Sequence, residues 1–373
     1  VAPDGETLIT YISWDGSRDS VMMRKGEGAS VIRGPGADAM DPRCVLDGGG
    51  RPRVIWSQSD GEQWDLYGWD NGTIGRLTRA AGNDFWPRAA RDASGKIWVA
   101  WQSVGEDRHY EVLLARWDGE QLSEAVNVSE SCADDWEPSI CATPAGRIVV
   151  VWDTYRNGSY DVYLREFGVG QGGGAMPLGQ PVPVAASAAR EAHATVAADP
   201  AGRVWVAWEK AGENWGKHPR GAASLHSERS IDIACWSGGR LHRPEADLAK
   251  SLPDGFRKHS EYPQVAIDGA GRLWVIFRYQ NRVAPQILGG RGRAQSYGMW
   301  HEFATQLTQD GWGAPVLLAH SNGRQDIRAE VANGRDGELL ACYATDGRTR
   351  EFPYKPVDYD LTLVSLAGFG RAA

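Results

Sequence analysis

Two histidines stand out because the rest of the chain does not repeat them. His193 lies in Glu191-Ala-His193 and His259 in His259-Ser-Glu261-Tyr262-Pro263. An unprotonated imidazole can take a proton from a reacting group near neutral pH. Arg278 and Tyr279 follow an apolar run that elsewhere ends Trp-Gln, Trp-Asp or Trp-Glu. An arginine there can neutralise a carboxylate, and a tyrosine can serve as general acid or base. His193, His259, Tyr279 and Arg278 are therefore the candidate catalytic set. Trp86 and Trp136 offer flat faces for stacking a ligand. Arg156, Lys210, Lys258, Glu261, Tyr262, His301 and Arg328 complete the candidate binding set with charge and hydrogen bonds.

Basic residues crowd the same regions. Arg278, Arg282, Arg291 and Arg293 share one segment that has no acidic residue. Lys210, Lys217, His218, Arg220, His226 and Arg229 occupy another, diluted by Glu209, Glu213 and Glu228. Local basicity on a chain of formal net charge -8 points to an anionic ligand. Guanidinium forks suit carboxylate or sulfate. A second chemistry needs two carboxylates roughly 5 to 9.5 Å apart, as in glycoside hydrolysis. Asp84, Asp135, Asp153, Glu209 and Glu261 could supply such a pair.

Other classes are disfavoured. The negative charge argues against a general nucleic-acid partner. No apolar run reaches the roughly 20 residues needed to cross a bilayer, and no signal peptide is visible at Val1-Ala2-Pro3-Asp4-Gly5. No HxH, HExxH or Cys/His cluster predicts a metal, and no cofactor is expected; a structural cation in a central channel is the one ion left open. Gly170-Gln-Gly-Gly-Gly174 lacks the lysine of a phosphate loop and reads as a linker. Five cysteines without regular spacing do not form a disulfide framework, and Cys132 with Cys141 is the one pair to test.

The elements that position these residues come from a repeat. Asp92-Ala-Ser-Gly95-Lys96-Ile-Trp-Val-Ala-Trp101 recurs as Asp199-Pro-Ala-Gly202-Arg203-Val-Trp-Val-Ala-Trp208. It recurs again as Asp268-Gly-Ala-Gly271-Arg272-Leu-Trp-Val-Ile-Phe277. Looser copies begin at Asp4, Asp47, Thr143 and Asp336, which makes seven. Each reads as a hairpin turn followed by a returning strand of β-branched and aromatic residues. A carboxylate then opens a further strand in each copy: Asp19, Asp65, Glu111, Asp161, Asp232, Glu302 and Asp360. Four strands per unit at a spacing of about 45 to 70 residues predicts an all-β fold, a β-propeller of seven four-stranded blades. The expectation is one domain over residues 1–366 with a linker or frayed tail at 367–373. Residues just before each first strand and just after each second strand should line a common pocket. His193 and His259 should then hold equivalent places in adjacent blades.

The runs Glu261-Tyr-Pro-Gln-Val-Ala-Ile-Asp-Gly-Ala-Gly-Arg-Leu-Trp and Gly158-Ser-Tyr-Asp-Val-Tyr-Leu resemble blades of bacterial repeat propellers. That group includes the seven-bladed polysaccharide lyases acting on ulvan and on rhamnose–glucuronate linkages. The resemblance implies a carbohydrate-active protein, an anionic (uronate-containing) polysaccharide partner, and a secreted or periplasmic location. In such lyases His and Tyr transfer protons while Arg or Lys neutralises the uronate, and His193, His259, Tyr279 and Arg278 match that set by type. Two alternatives stay open. One is a glycoside hydrolase with paired carboxylates. The other is a non-catalytic glycan-binding or scaffold module with an adjoining domain, because Ser321-Asn-Gly-Arg-Gln-Asp326 and Tyr343-Ala-Thr-Asp-Gly-Arg348 also resemble propeller modules that precede a hydrolase domain.

Overall fold

The computed structural model describes residues 1–105, 107–213, 228–282, 298–321, 328–345 and 360–367. The fold is the expected all-β propeller of seven blades, each an antiparallel sheet. Blades two, three and five have four strands in sequence order. In blades four and six two short strands share the fourth place, so that Ala175–Pro177 and Val182–Ala185 both pair with Asp161–Val169. Blades one and seven show three strands each among the described residues. The chain falls into two compact units, Val1–Val206 with Ala234–His242, and Ala207–Ile233 with Arg243–Ala373.

The repeated turn is a self-contained device. Asp268 accepts from the backbone N–H groups of Ala270 and Arg272 at 3.0 and 2.9 Å. Its other oxygen takes the guanidinium of Arg272 and the indole N–H of Trp274. Asp92 holds Trp98 in the same way, and Asp199 holds Trp205. Burial works against ionising these carboxyls, but the converging donors win and hold all three below the usual carboxylate range. These aspartates thus anchor a core tryptophan and have no oxygen to spare for a ligand.

Neighbouring turns also touch. A Cβ on Gly95 (φ +84°) would lie 2.6 Å from the Cα of Gly48, and one on Gly269 would lie 2.4 Å from the Cα of Gly337. Glycine is required at these places because two backbones meet there.

The second strands supply the core. Trp56, Trp98, Trp101, Trp152 and Trp208 are buried, as are the residues around them in Ile97–Val104 and Ile148–Thr154. Burying roughly 200 Å² of an indole contributes on the order of 5 kcal/mol before entropy is counted. All five cysteines are free thiols, including Cys132 and Cys141.

One irregularity recurs and decides where the chemistry sits. The first strands of blades two to six each contain a non-glycine residue in the left-handed region: Asp41, Trp86, Glu137, His193 and Tyr262, with φ from 45° to 56°. The strand register slips at this point in blades two, three, four and six. It is a β-bulge, which bends the strand and re-aims the side chain. A left-handed L-residue costs about 1 kcal/mol or more, so the packed sheets behind must hold it in place.

Candidate functional site

In the first unit the bulges of blades four and five bring Glu137 and His193 together. His193 Nδ1 lies 2.8 Å from Glu137 Oε2, and His193 Nε2 lies 2.9 Å from Arg190 Nη2. A guanidinium can only donate. Nε2 is therefore the acceptor, and the ring proton sits on Nδ1, donated to Glu137. Beneath the ring, Asp153 at the end of Ile148–Thr154 accepts from the backbone N–H of His193 at 2.6 Å and of Ala194 at 3.4 Å. Burial pushes the Asp153 carboxyl up to about 7 and the neighbouring Glu137 adds to the rise, while the His193 ring, the His193 N–H and the charge of Arg190 limit it. The side chains of His193 and Glu137 keep 13% and 20% exposure, so the cluster is largely but not fully shielded from solvent.

Aromatic rings flank it. Arg190 lies 5.3 Å from the centre of the Tyr160 ring. Tyr160 packs on Trp136 at 5.4 Å and against the edge of Tyr155 at 5.2 Å, and Trp136 packs on Tyr110 at 6.0 Å. Arg156 turns away from the cluster, onto Tyr163 at 4.2 Å and toward Thr154 Oγ1. Trp86 is the half-buried bulge residue of blade three.

Glu137, Asp153 and His193 have ligand atoms within 4.8 Å of one another, and by type they could hold a divalent ion. The hydrogen bonds oppose it. A metal on Nδ1 would leave the proton on Nε2, facing the N–H of Arg190.

The second unit carries a different cluster. Arg278 is 3% exposed and donates to Glu261 Oε2 at 2.7 Å. Arg229 bridges Glu261 at 3.1 Å and Glu209 at 3.5 Å. The Arg278 guanidinium lies 4.2 Å from the Tyr262 ring centre and 4.1 Å from that of Trp300. Arg328 lies 3.8 Å from the same Tyr262 centre. Two guanidinium groups that close cannot share one face, so the Tyr262 ring is sandwiched between them. Arg278 is thus committed to a carboxylate and two rings inside the protein.

His259 and Tyr279 stand nearby. His259 ends the single helical turn Phe256–His259, and its ring is 6.4 Å from that of Tyr279. Tyr279 packs on Phe256 at 4.5 Å. The residue of blade six that shares the left-handed bulge with His193 is Tyr262, not His259, so the two histidines are not equivalent. Lys258 is exposed and 3.7 Å from Glu228, while the carbonyl of Lys210 accepts from Ser230. Lys217, His218, Arg220, His226, Arg291 and Arg293 lie outside the described residues.

The carboxylates that open the third strands differ in register. Asp65, Glu111, Asp161 and Asp360 pair with Gln58, Ser103, Thr154 and Thr345, each two residues beyond the aromatic of its second strand. Glu302 is displaced by one place. It pairs with Arg278, directly after Phe277, and His301 takes the usual position opposite Tyr279. Burial pushes the Glu302 carboxyl up to about 8 despite the charge of Arg278, and Oε1 has no hydrogen-bond partner among the described residues. Burial also lowers the pKa of His301.

The raised Glu302 value sets a pH dependence. Between about 4.5 and about 8 the folded chain keeps a proton that the unfolded chain has released, so stability falls as pH rises through that window. Glu302→Gln should flatten the curve there in urea unfolding. Parallel curves for variant and wild type would place the effect elsewhere.

The aspartates offered as hydrolytic partners separate similarly. Asp84 accepts from the indole of Trp101 and Asp135 from that of Trp152, at 2.9 and 3.0 Å. Both serve the core.

No family model matches the chain, and no curated protein matches it. Among solved structures, the fold defines the class as β-propeller. An ulvan lyase of polysaccharide lyase family PL25 superposes with a TM-score of 0.57 at 12% identity, covering 92% of this chain and 88% of that one. An α-L-arabinanase of Penicillium chrysogenum, complexed with arabinobiose, gives 0.50 at 12% identity, covering 88% and 93%.

Proposed function

We propose that this chain is a carbohydrate-active propeller that cleaves a uronate-containing polysaccharide by elimination, with His193 as the base. The observation that carries the reading is the His193 ring, aimed by a strained bulge and held by Glu137 on one nitrogen and Arg190 on the other. The fold's likeness to an ulvan lyase supports the substrate class. In such a cleavage the base takes the proton beside the uronate carboxylate. The electron pair left behind forms a carbon–carbon double bond as the bond to the glycosidic oxygen breaks, and that oxygen takes up the proton from the His193 imidazolium, which regenerates the base. Positive charge near the carboxylate stabilises the enolate-like transition state, and Arg190 supplies it. Glu137 stabilises the imidazolium that forms on His193. A polymeric substrate of this kind lies outside the cell, so export is part of the proposal.

The test is incubation of the protein with a panel of uronate polysaccharides, following ultraviolet absorbance. A rise reports the new double bond. Reducing sugar released without a rise would overturn elimination and favour the second reading, hydrolysis by Glu137 and Asp153, whose donor atoms share the 4.8 Å cluster. The burial of Asp153 under two backbone N–H groups weighs against that reading. Glycan binding with neither change would favour a binding module.

A further inference from the structure

In the resting site the nitrogen that would act as base is already occupied. Arg190 Nη2 sits 2.9 Å from His193 Nε2, while Nδ1 is engaged with Glu137. A lone pair that accepts a hydrogen bond from a guanidinium is a weak base. Arg190 is also 93% buried, so this contact is held by packing as well as by charge. From this contact we infer that Arg190 masks His193, and that a carboxylate on the ligand unmasks it by drawing the guanidinium away from Nε2.

This inference rests on His193 being the base. It adds a reason for selectivity that charge complementarity alone does not give. Arginine binds a carboxylate through two parallel hydrogen bonds between opposite charges. An imidazole nitrogen offers one neutral lone pair, so a uronate competes well for Arg190. A neutral sugar offers only hydroxyl groups and leaves the mask in place. Binding of the correct group and exposure of the base are thereby one event, and a neutral glycan in the same position would meet an inactive histidine. Arg190 acts in this step as a positioning residue for His193 as well as a partner of the substrate.

The test is nitrogen-15 NMR of the histidine side chains of the full chain, with the His193 signal assigned by its loss in His193→Asn. Sodium glucuronate should move the Nε2 resonance of His193, and glucose at the same concentration should not. In Arg190→Gln the resonance should start at the unmasked position and should not respond to glucuronate. Cleavage of uronate polymers by that variant should fall about ten- to hundredfold in kcat/KM. Arg190→Lys, which keeps the charge but loses the fork, should respond more weakly than wild type and provides the comparison if the glutamine variant does not fold. No movement with glucuronate, equal movement with glucose, or an unchanged response in Arg190→Gln would each overturn the masking. Polymer cleavage without the shift would overturn masking and leave the lyase reading standing. The shift without cleavage of any polymer would do the reverse.

Discussion

His193→Asn should lower turnover of a uronate polymer about 10²- to 10⁴-fold, the range associated with a positioned proton-transfer group. Asparagine is the informative replacement. It tolerates the left-handed backbone better than alanine does, and its amide can still donate to Glu137. What it lacks is a titratable nitrogen. Thermal unfolding should therefore stay near that of wild type while the ultraviolet signal is lost. His193→Ala removes the same base and adds backbone strain at φ 56°, so it should lose both activity and stability. Near wild-type turnover in His193→Asn would remove this residue from the chemistry whatever the alanine variant shows.

Arg278→Met should destabilise the protein by about 3–5 kcal/mol, the cost of leaving one partner of a buried ion pair alone. Among the described residues, Glu261 would keep its ion pair with Arg229 at 3.1 Å and lose the closer one with Arg278. The Tyr262 and Trp300 rings would also lose the cation between them. Methionine fills much of the vacated space, so a cavity contributes little. The double variant Arg278→Met/Glu261→Gln separates the causes. If the buried charge is responsible, the double variant should recover a large share of the stability in urea unfolding. If it is as unstable as the single variant, lost stacking is the greater effect.

The parts of the fold written in local chemistry were legible in the sequence. Asp-x-x-Gly-Arg-x-Trp is a turn, an ion pair and an indole anchor within seven residues, and every partner of Asp268 is close in sequence. The candidate site was less legible because it depends on register. A bulge adds one residue to one strand and leaves no compositional mark. His259 therefore looked equivalent to His193, although Tyr262 holds that place. Glu302 looked like the other strand-opening carboxylates for the same reason, yet it is shifted by one pair and faces Arg278. Arg278 was singled out by its position after the core aromatic, but its burial depends on Glu261, Tyr262 and Trp300 from other strands. Arg190 gave no signal at all. It is one arginine near the start of the strand Ala189–Ala198, three residues before His193, and its contact with the ring leaves no mark in the sequence.

The left-handed bulge carries one more implication. Five first strands adopt nearly the same φ while presenting an aspartate, a tryptophan, a glutamate, a histidine and a tyrosine. The conformation is thus set by the sheet, although residues that tolerate a positive φ fit it at lower cost. Such a slot behaves like a socket in a modular instrument. Its occupant can be exchanged at these five addresses without retooling the frame. A library confined to positions 41, 86, 137, 193 and 262 should yield folded proteins at a high rate and differ chiefly in what they recognise.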